Sequence, residues 1–470
     1  MVCSSQYHLS LFLLLLLSLF FTLSSSHSHS ITLSLSSPTK THHLSAAIDR
    51  QWQQLLQKAA HESRKISSIS PIFASRDGVY TFPLNFGTPP QTLPFALTSS
   101  GDLTSFPCEA NYSCVKCTVD PKDIIVFMPN QSNSSSLVHC DDPLLNNTVS
   151  SNLIPVCTEC ISDDSCSNQL AEYADDEDGS IATSGVILSE TLTLPRGEKE
   201  PAKRNILVGC ASKSEGWPQG IGIVGFGRVP SSLASQLNLT KFSHCFVSKR
   251  YEGNHNVSGA LVLTWGEDND ERDQNKKDTK GIRYTPLRKF KNATWQNACY
   301  YVDVEKIVVG RVKVEVPKEY LVADEAGIGG MMVEAGYTVS FMDKHVFEPL
   351  VREFVKQVGK KYKRAKEVEK EFTYKPCYNI GSKGIKGMPK MGFGFEGGVE
   401  LVVPLENFFS YWNDSVICMT ILSDDNETTG DELDGPAIVL GQWQMQNVYV
   451  EYDLANNRLG LQLRSCSKGS

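Results

Sequence analysis

With 470 residues, 41% of them hydrophobic and 21% charged, the chain is composed like a globular protein, and its length suits two domains better than one core. A formal net charge of −8 speaks against a nucleic-acid partner, because phosphate binding needs a basic face. Solubility is sufficient explanation for that charge.

Residues Leu9 to Leu23 are almost unbroken apolar sequence, closed by Ser24, Ser25 and Ser26. An apolar run of this length ended by small residues predicts a signal peptide over 1–26. Its n-region offers His8 and no Lys or Arg, which keeps a retained signal anchor as the alternative. No other stretch is long and apolar enough to span a bilayer, and the tail Arg464–Ser470 is too polar for a lipid-anchor signal. The expected route is secretion, with no membrane contact after cleavage. Residues 27–75 are Ser/His-rich and then polar, with a short helical pattern near Ala46–Ala60, and read as an N-terminal extension or propeptide.

Cysteine usage agrees with secretion. Of 14 cysteines, Cys3 leaves with the leader, and eight lie in the first half: Cys108, Cys114, Cys117, Cys140, Cys157, Cys160, Cys166 and Cys210. Cys114-x-x-Cys117 and Cys157-x-x-Cys160 have the spacing of zinc knuckles. The oxidising route favours disulfides over metal, and no metal or cofactor is assigned. Nine Asn-x-Ser/Thr sequons, at Asn111, Asn130, Asn133, Asn146, Asn238, Asn256, Asn292, Asn413 and Asn426, would meet the glycosylation machinery on the same route, so N-linked glycans are expected.

From Tyr80 onward, short alternating or β-branched runs are broken by Gly, Pro, Asn and Asp. Ile187–Leu194, Asn205–Val208, Leu261–Thr264, Tyr300–Val309 and Val448–Tyr452 are examples, and they predict a mostly-β architecture. One helix stands out over Lys344–Lys363, with Asp343 as N-cap and Phe347, Leu350, Val351, Phe354, Val355 and Val358 on one face. Pro349 inside this pattern should kink or restart it. The charged block Asp268–Lys280 is the expected linker between halves, giving lobes over 76–272 and 273–470.

One arrangement occurs twice. In the first half, Phe86-Gly87-Thr88-Pro89-Pro90-Gln91 precedes the apolar Phe95-Ala96-Leu97 and then Thr98-Ser99-Ser100-Gly101, and later comes Ile223-Val224-Gly225-Phe226-Gly227. In the second half, Met331-Met332-Val333 runs into Glu334-Ala335-Gly336, and later comes Ile438-Val439-Leu440-Gly441. Each half thus sets an apolar strand ending at a tight Gly-bearing turn against a second apolar-apolar-Gly segment.

These segments, with Gly222–Leu237, Phe242–Cys245, Tyr300–Gly310 and Ile438–Gly460 in order, resemble the pepsin-like aspartic peptidases, in particular their plant nepenthesin-like branch. The resemblance spans about Tyr80 to Cys466. It implies a mostly-β, bilobal pepsin-like double β-barrel/sheet fold with a central cleft. In that family each lobe contributes one Asp at the start of an Asp-Thr/Ser-Gly turn. The two carboxylates share a proton, one acting as base on a water and the other polarising the scissile carbonyl.

Here the resemblance places Thr98 at the first position and Glu334 at the second. Thr has no basic group at any relevant pH, and Glu carries its carboxylate one methylene too far. Asp102 follows the turn, where the family often has Asp too, and from there its carboxylate should point away. Ala335 lacks the hydroxyl with which the family braces its two loops, and Ser105 stands where an aromatic is usual. The flap segment Tyr173–Ser180 is acidic, and reads as a solvated hairpin more readily than as a flap carrying its tyrosine.

What these departures imply is a secreted pseudo-protease, in apoplast or cell wall rather than vacuole. It would be monomeric and bind an extracellular protein or peptide in the inter-lobe cleft, in the manner of a glycosidase inhibitor. The alternative is an acid endopeptidase using Glu334, alone or with Asp102. By the same resemblance, Cys377 should pair with Cys418 and Cys245 with Cys466. The eight first-half cysteines would pair among themselves, leaving Cys299 as a free thiol.

Overall fold

This computed structural model describes residues 67–467 apart from 75–78, 118, 141, 143–144, 146–171, 178–179, 197–198, 216–219, 266–280, 292–295, 372–373, 382–384 and 425–432. The apolar leader, the helical pattern at 46–60 and the whole charged block 268–280 lie outside the described residues. Strands dominate, as the short alternating runs predict. Tyr80–Phe86 buries Tyr80, Phe82, Leu84 and Phe86 and half-exposes the residues between, the period of two that a one-sided strand requires. Met331–Val333 and Ile438–Leu440 are buried throughout, as central strands covered on both faces must be.

The repeated pattern becomes a repeated topology. In the first lobe Gln91–Thr98 pairs in parallel with Gly222–Gly225, which also meets Ser105–Pro107 antiparallel at Ile223. In the second, Met331–Val333 pairs in parallel with Ile438–Leu440, which also meets Ser340–Asp343 antiparallel. The closing glycine of each pairing is sterically obligatory. A Cβ on Gly225 would lie 2.1 Å from the Asp102 carbonyl oxygen, and one on Gly441 2.3 Å from that of Val339.

Between the lobes runs an antiparallel series of strands, in the order Arg283–Pro286, Arg458–Leu463, Val448–Asp453, Leu239–Cys245, Gly259–Trp265 and Ser67–Ala74. Its members come from both halves. The stretch 27–75 read as an extension therefore ends in sheet structure, with Ser67–Ile72 in register with Gly259–Thr264. The segment Glu172–Glu177 pairs back on the long strand Ser180–Arg196, so it forms a hairpin, the preferred reading of its sequence.

The helix forms over Lys344–Val358, with the Asp343 carboxylate accepting from the His345 N–H at 2.7 Å. It ends at Val358, five residues short of the expected Lys363, with Gly359 as cap at φ 55°. Pro349 does not restart it. The missing N–H removes one backbone bond, and burial of Val346, Phe347, Leu350 and Phe354 on either side holds the helix continuous.

Cys245 bonds Cys466 and Cys377 bonds Cys418, as the resemblance implies. Cys108 bonds Cys210, and Cys114 bonds its near neighbour Cys117. The expected free thiol is corrected: Cys299 takes part in a disulfide, and no described cysteine is free. The expectation rested on the lack of a placeable counterpart for Cys299 in the sequence, whereas in the fold Cys299 is buried in a cluster that includes Val229 of the first half.

The inter-lobe sheet also encloses a ring stack. His244 lies on Phe246 with centroids 4.1 Å apart, Phe246 on Tyr80 at 4.2 Å, and the Lys249 Nζ sits 4.3 Å over the Tyr80 ring. Burial lowers Lys249 to about 8 and His244 to about 3. Neither His244 nitrogen has a hydrogen-bond partner among the described residues, so the ring is held as a neutral aromatic. Protonation is free in the unfolded chain below about pH 6.5 and resisted in the folded one down to about 3. This contribution to stability is therefore complete above 6.5 and is lost progressively as pH falls towards 3, by about 5 kcal/mol. His244→Phe should lose less stability between those limits than wild type, measured as urea midpoint against pH. Parallel curves would show that His244 does not carry the acid sensitivity.

Candidate active site

The two tight turns meet at the lobe boundary because each follows a buried central strand. Phe226 N–H donates to the Thr98 carbonyl at 2.9 Å and Glu334 N–H to the Leu440 carbonyl at 3.0 Å, closing each turn against its partner segment. Beneath them packs an aromatic group drawn from both lobes. Phe242 stacks on Tyr452 at 4.3 Å, Tyr300 meets Tyr452 edge-on at 4.6 Å, and the Tyr300 hydroxyl donates to the Phe226 carbonyl at 2.8 Å. Burial, and after it the nearby Glu334 carboxylate, raises the Tyr452 phenol well above its ordinary value.

Thr98 and Glu334 are brought together. The Thr98 hydroxyl donates to Glu334 Oε1 at 3.0 Å and lies 3.3 Å from the Ser100 hydroxyl. The same Oε1 accepts from the Ser99 N–H at 3.0 Å and from the Gly336 N–H at 2.6 Å. Glu334 is 1% exposed, and its Oε2 is buried without a partner among the described residues. Asp102 takes no part in this set of bonds. Ser105 lies half-buried at the start of the Ser105–Pro107 strand.

The brace between the loops is present in an altered form. The Ser99 hydroxyl donates to the Val333 carbonyl at 2.9 Å and accepts from the Ala335 N–H at 2.9 Å, tying the first turn to the second. Ala335 has no hydroxyl to return the tie. The extra methylene of Glu334 carries Oε1 to the Ser99 N–H instead, so a carboxylate supplies the reciprocal bond. Reasoning from sequence foresaw a weakened brace here and missed this replacement, which needs the cross-lobe distance.

It also missed the support behind the second turn. Gln442, Gln444 and Gln446 are fully or almost fully buried. Gln442 donates to the Ala335 carbonyl at 2.6 Å, and Gln444 accepts from the Ser340 N–H at 2.9 Å and donates to the Asn407 carbonyl at 2.8 Å. Gln91 of the first motif acts likewise, exchanging two bonds with the Met128 backbone at 2.9 and 3.0 Å. The spacing of alternate glutamines was the available signal.

If Glu334 is a cross-lobe tie, its removal should cost stability. Glu334→Ala strands the buried Ser99 and Gly336 N–H groups and should lose about 2–4 kcal/mol in chemical denaturation. Glu334→Gln keeps a carbonyl oxygen for the same donors and should lose about 1 kcal/mol or less. Equal stability of Glu334→Ala and wild type would refute the tie.

Comparison with known proteins agrees with the geometry. The family described as "Xylanase inhibitor N-terminal" matches residues 80–263, and "Xylanase inhibitor C-terminal" matches residues 299–462. The chain is 25% identical over 434 residues to aspartic proteinase nepenthesin-1 of Nepenthes gracilis, covering 91% of this chain and 87% of the relative. It is 26% identical over 406 residues to aspartic proteinase PCS1 of Arabidopsis thaliana, covering 82% of each. Among solved structures, edgp superposes with a TM-score of 0.63 at 16% identity, over 85% of this chain and 95% of that one. Basic 7S globulin from soybean gives 0.61 at 19%, over 85% and 97%. Taken with the twofold strand-turn arrangement, these matches place the chain in the pepsin-like aspartic peptidase family, on the side shared by plant aspartic proteinases and xylanase-inhibitor-like proteins.

Proposed function

We propose that this protein is a secreted, non-proteolytic member of the family whose role is to bind an extracellular protein or peptide. The observation that carries the reading is the use of Glu334. Its Oε1 accepts from the Thr98 hydroxyl and two backbone N–H groups, so that oxygen is committed to bracing the loops. Thr98, facing it, contributes no second carboxylate, and proton sharing between two acids has no counterpart. Absence of one general acid/base costs about 10²–10⁴-fold in rate, and a misplaced one about 10²-fold more.

Binding is the function that such a retained scaffold can still serve. The family matches are described as xylanase inhibitors, which makes a secreted glycosidase the partner class to try first. A secreted chain with the leader removed at about residue 26 is the form in which it would act.

The mature protein should leave denatured substrates uncut at about pH 3–5 and bind pepstatin-type mimics weakly, since their central hydroxyl needs paired aspartates. Clear, pepstatin-sensitive cleavage by the wild type would overturn the proposal and make Glu334 a working catalytic group. Thr98→Asp combined with Glu334→Asp rebuilds the carboxylate pair and should gain detectable acid peptidase activity. Titration against a panel of endo-xylanases reads the binding role directly, with inhibition at a stoichiometric ratio as the expected result for a matching partner.

A further inference from the structure

Tyr411 is 62% exposed, the most exposed large hydrophobic side chain among the described residues. It stands near the end of the strand Phe409–Asn413, which turns through Asp414 and Ser415 into Val416–Met419. The pairing shifts register between Tyr411 and Asn413, a bulge that re-aims the side chains at the hairpin end. Asn413 is exposed, and its Oδ1 accepts from both the N–H and the hydroxyl of Ser415, at 2.9 and 3.1 Å. That Asx turn turns the side-chain oxygen inward and leaves Nδ2 towards solvent.

We infer that Asn413 carries an N-linked glycan whose first sugar packs on the ring of Tyr411. The sequon supplies the acceptor: Nδ2 attacks the anomeric carbon of a lipid-pyrophosphate-linked oligosaccharide. The bond from that carbon to the pyrophosphate oxygen breaks, lipid pyrophosphate leaves with the electron pair, and Nδ2 loses one proton. The Ser415 hydroxyl, bonded to Oδ1, draws electron density towards oxygen and eases that loss. Two residues along a strand separate the Cα atoms by about 6–7 Å, within reach of a sugar attached at Nδ2. An aromatic face is a good surface for the apolar face of a pyranose, and the contact would cover an otherwise exposed apolar ring.

The other sequons lack this combination. Among the nine, only Asn292 also has an aromatic two residues before it, and that residue, Phe290, is 6% exposed. At Asn130 and Asn256 the partner hydroxyls Ser132 and Ser258 are buried in the folded chain. The inference needs the secretory route but not the loss of peptidase chemistry, so an active wild type would leave it standing.

The full chain, recovered from the medium of a eukaryotic secretory host, is digested and its glycopeptides are mapped by mass. Occupancy of Asn413 in most molecules is expected, and Ser415→Ala should abolish it there alone. A secreted protein with Asn413 unmodified would overturn the inference. Tyr411→Ala should lower the melting temperature of the glycosylated protein by about 2–4 °C and leave the enzymatically deglycosylated protein unchanged. Equal shifts in both forms would overturn the packing of sugar on ring.

Discussion

Three donors converging on one buried carboxylate oxygen hold the two lobes in register. Glu334 Oε1 receives the Thr98 hydroxyl, the Ser99 N–H and the Gly336 N–H. In a dry environment such charge-assisted bonds are strong, and an unpaired carboxylate would be severely penalised. The arrangement therefore settles into a single geometry.

The side chains around the two turns depend on one another. Ser99 ties its hydroxyl to the Val333 carbonyl and the Ala335 N–H, and the Glu334 carboxylate meets the Ser99 N–H in return. The shared aromatic floor of Phe242, Tyr300 and Tyr452 and the close approaches at Gly225 and Gly441 belong to the same scaffold.

Such a scaffold fits a chain similar both to plant aspartic proteinases and to xylanase-inhibitor-like proteins. Identity of 25% over 434 residues is enough to preserve a bilobal fold and leaves wide scope for loop chemistry. The hairpin at Tyr411 and Asn413 is exposed, and the His244 stack is buried in the inter-lobe sheet.

Local pattern was enough to determine several features. Strand runs such as Val448–Tyr452, the Asp343 cap and the apolar face of the helix follow from periods of two and 3.6 that neighbouring residues express directly. The twofold apolar-strand and Gly-turn motif was legible too, since its glycines are demanded by backbone contact. So were Thr98 and Glu334 as facing positions, through family resemblance. Tertiary structure alone decided what those positions do. That Glu334 meets the Ser99 N–H depends on a contact across 235 residues of chain. That Cys299 is bonded, that Ser67–Ala74 closes the sheet, and that three alternate glutamines are buried struts are likewise matters of which distant groups meet. A one-dimensional pattern records which faces want burial, but hydrogen-bond partners are chosen only once the lobes have closed on each other.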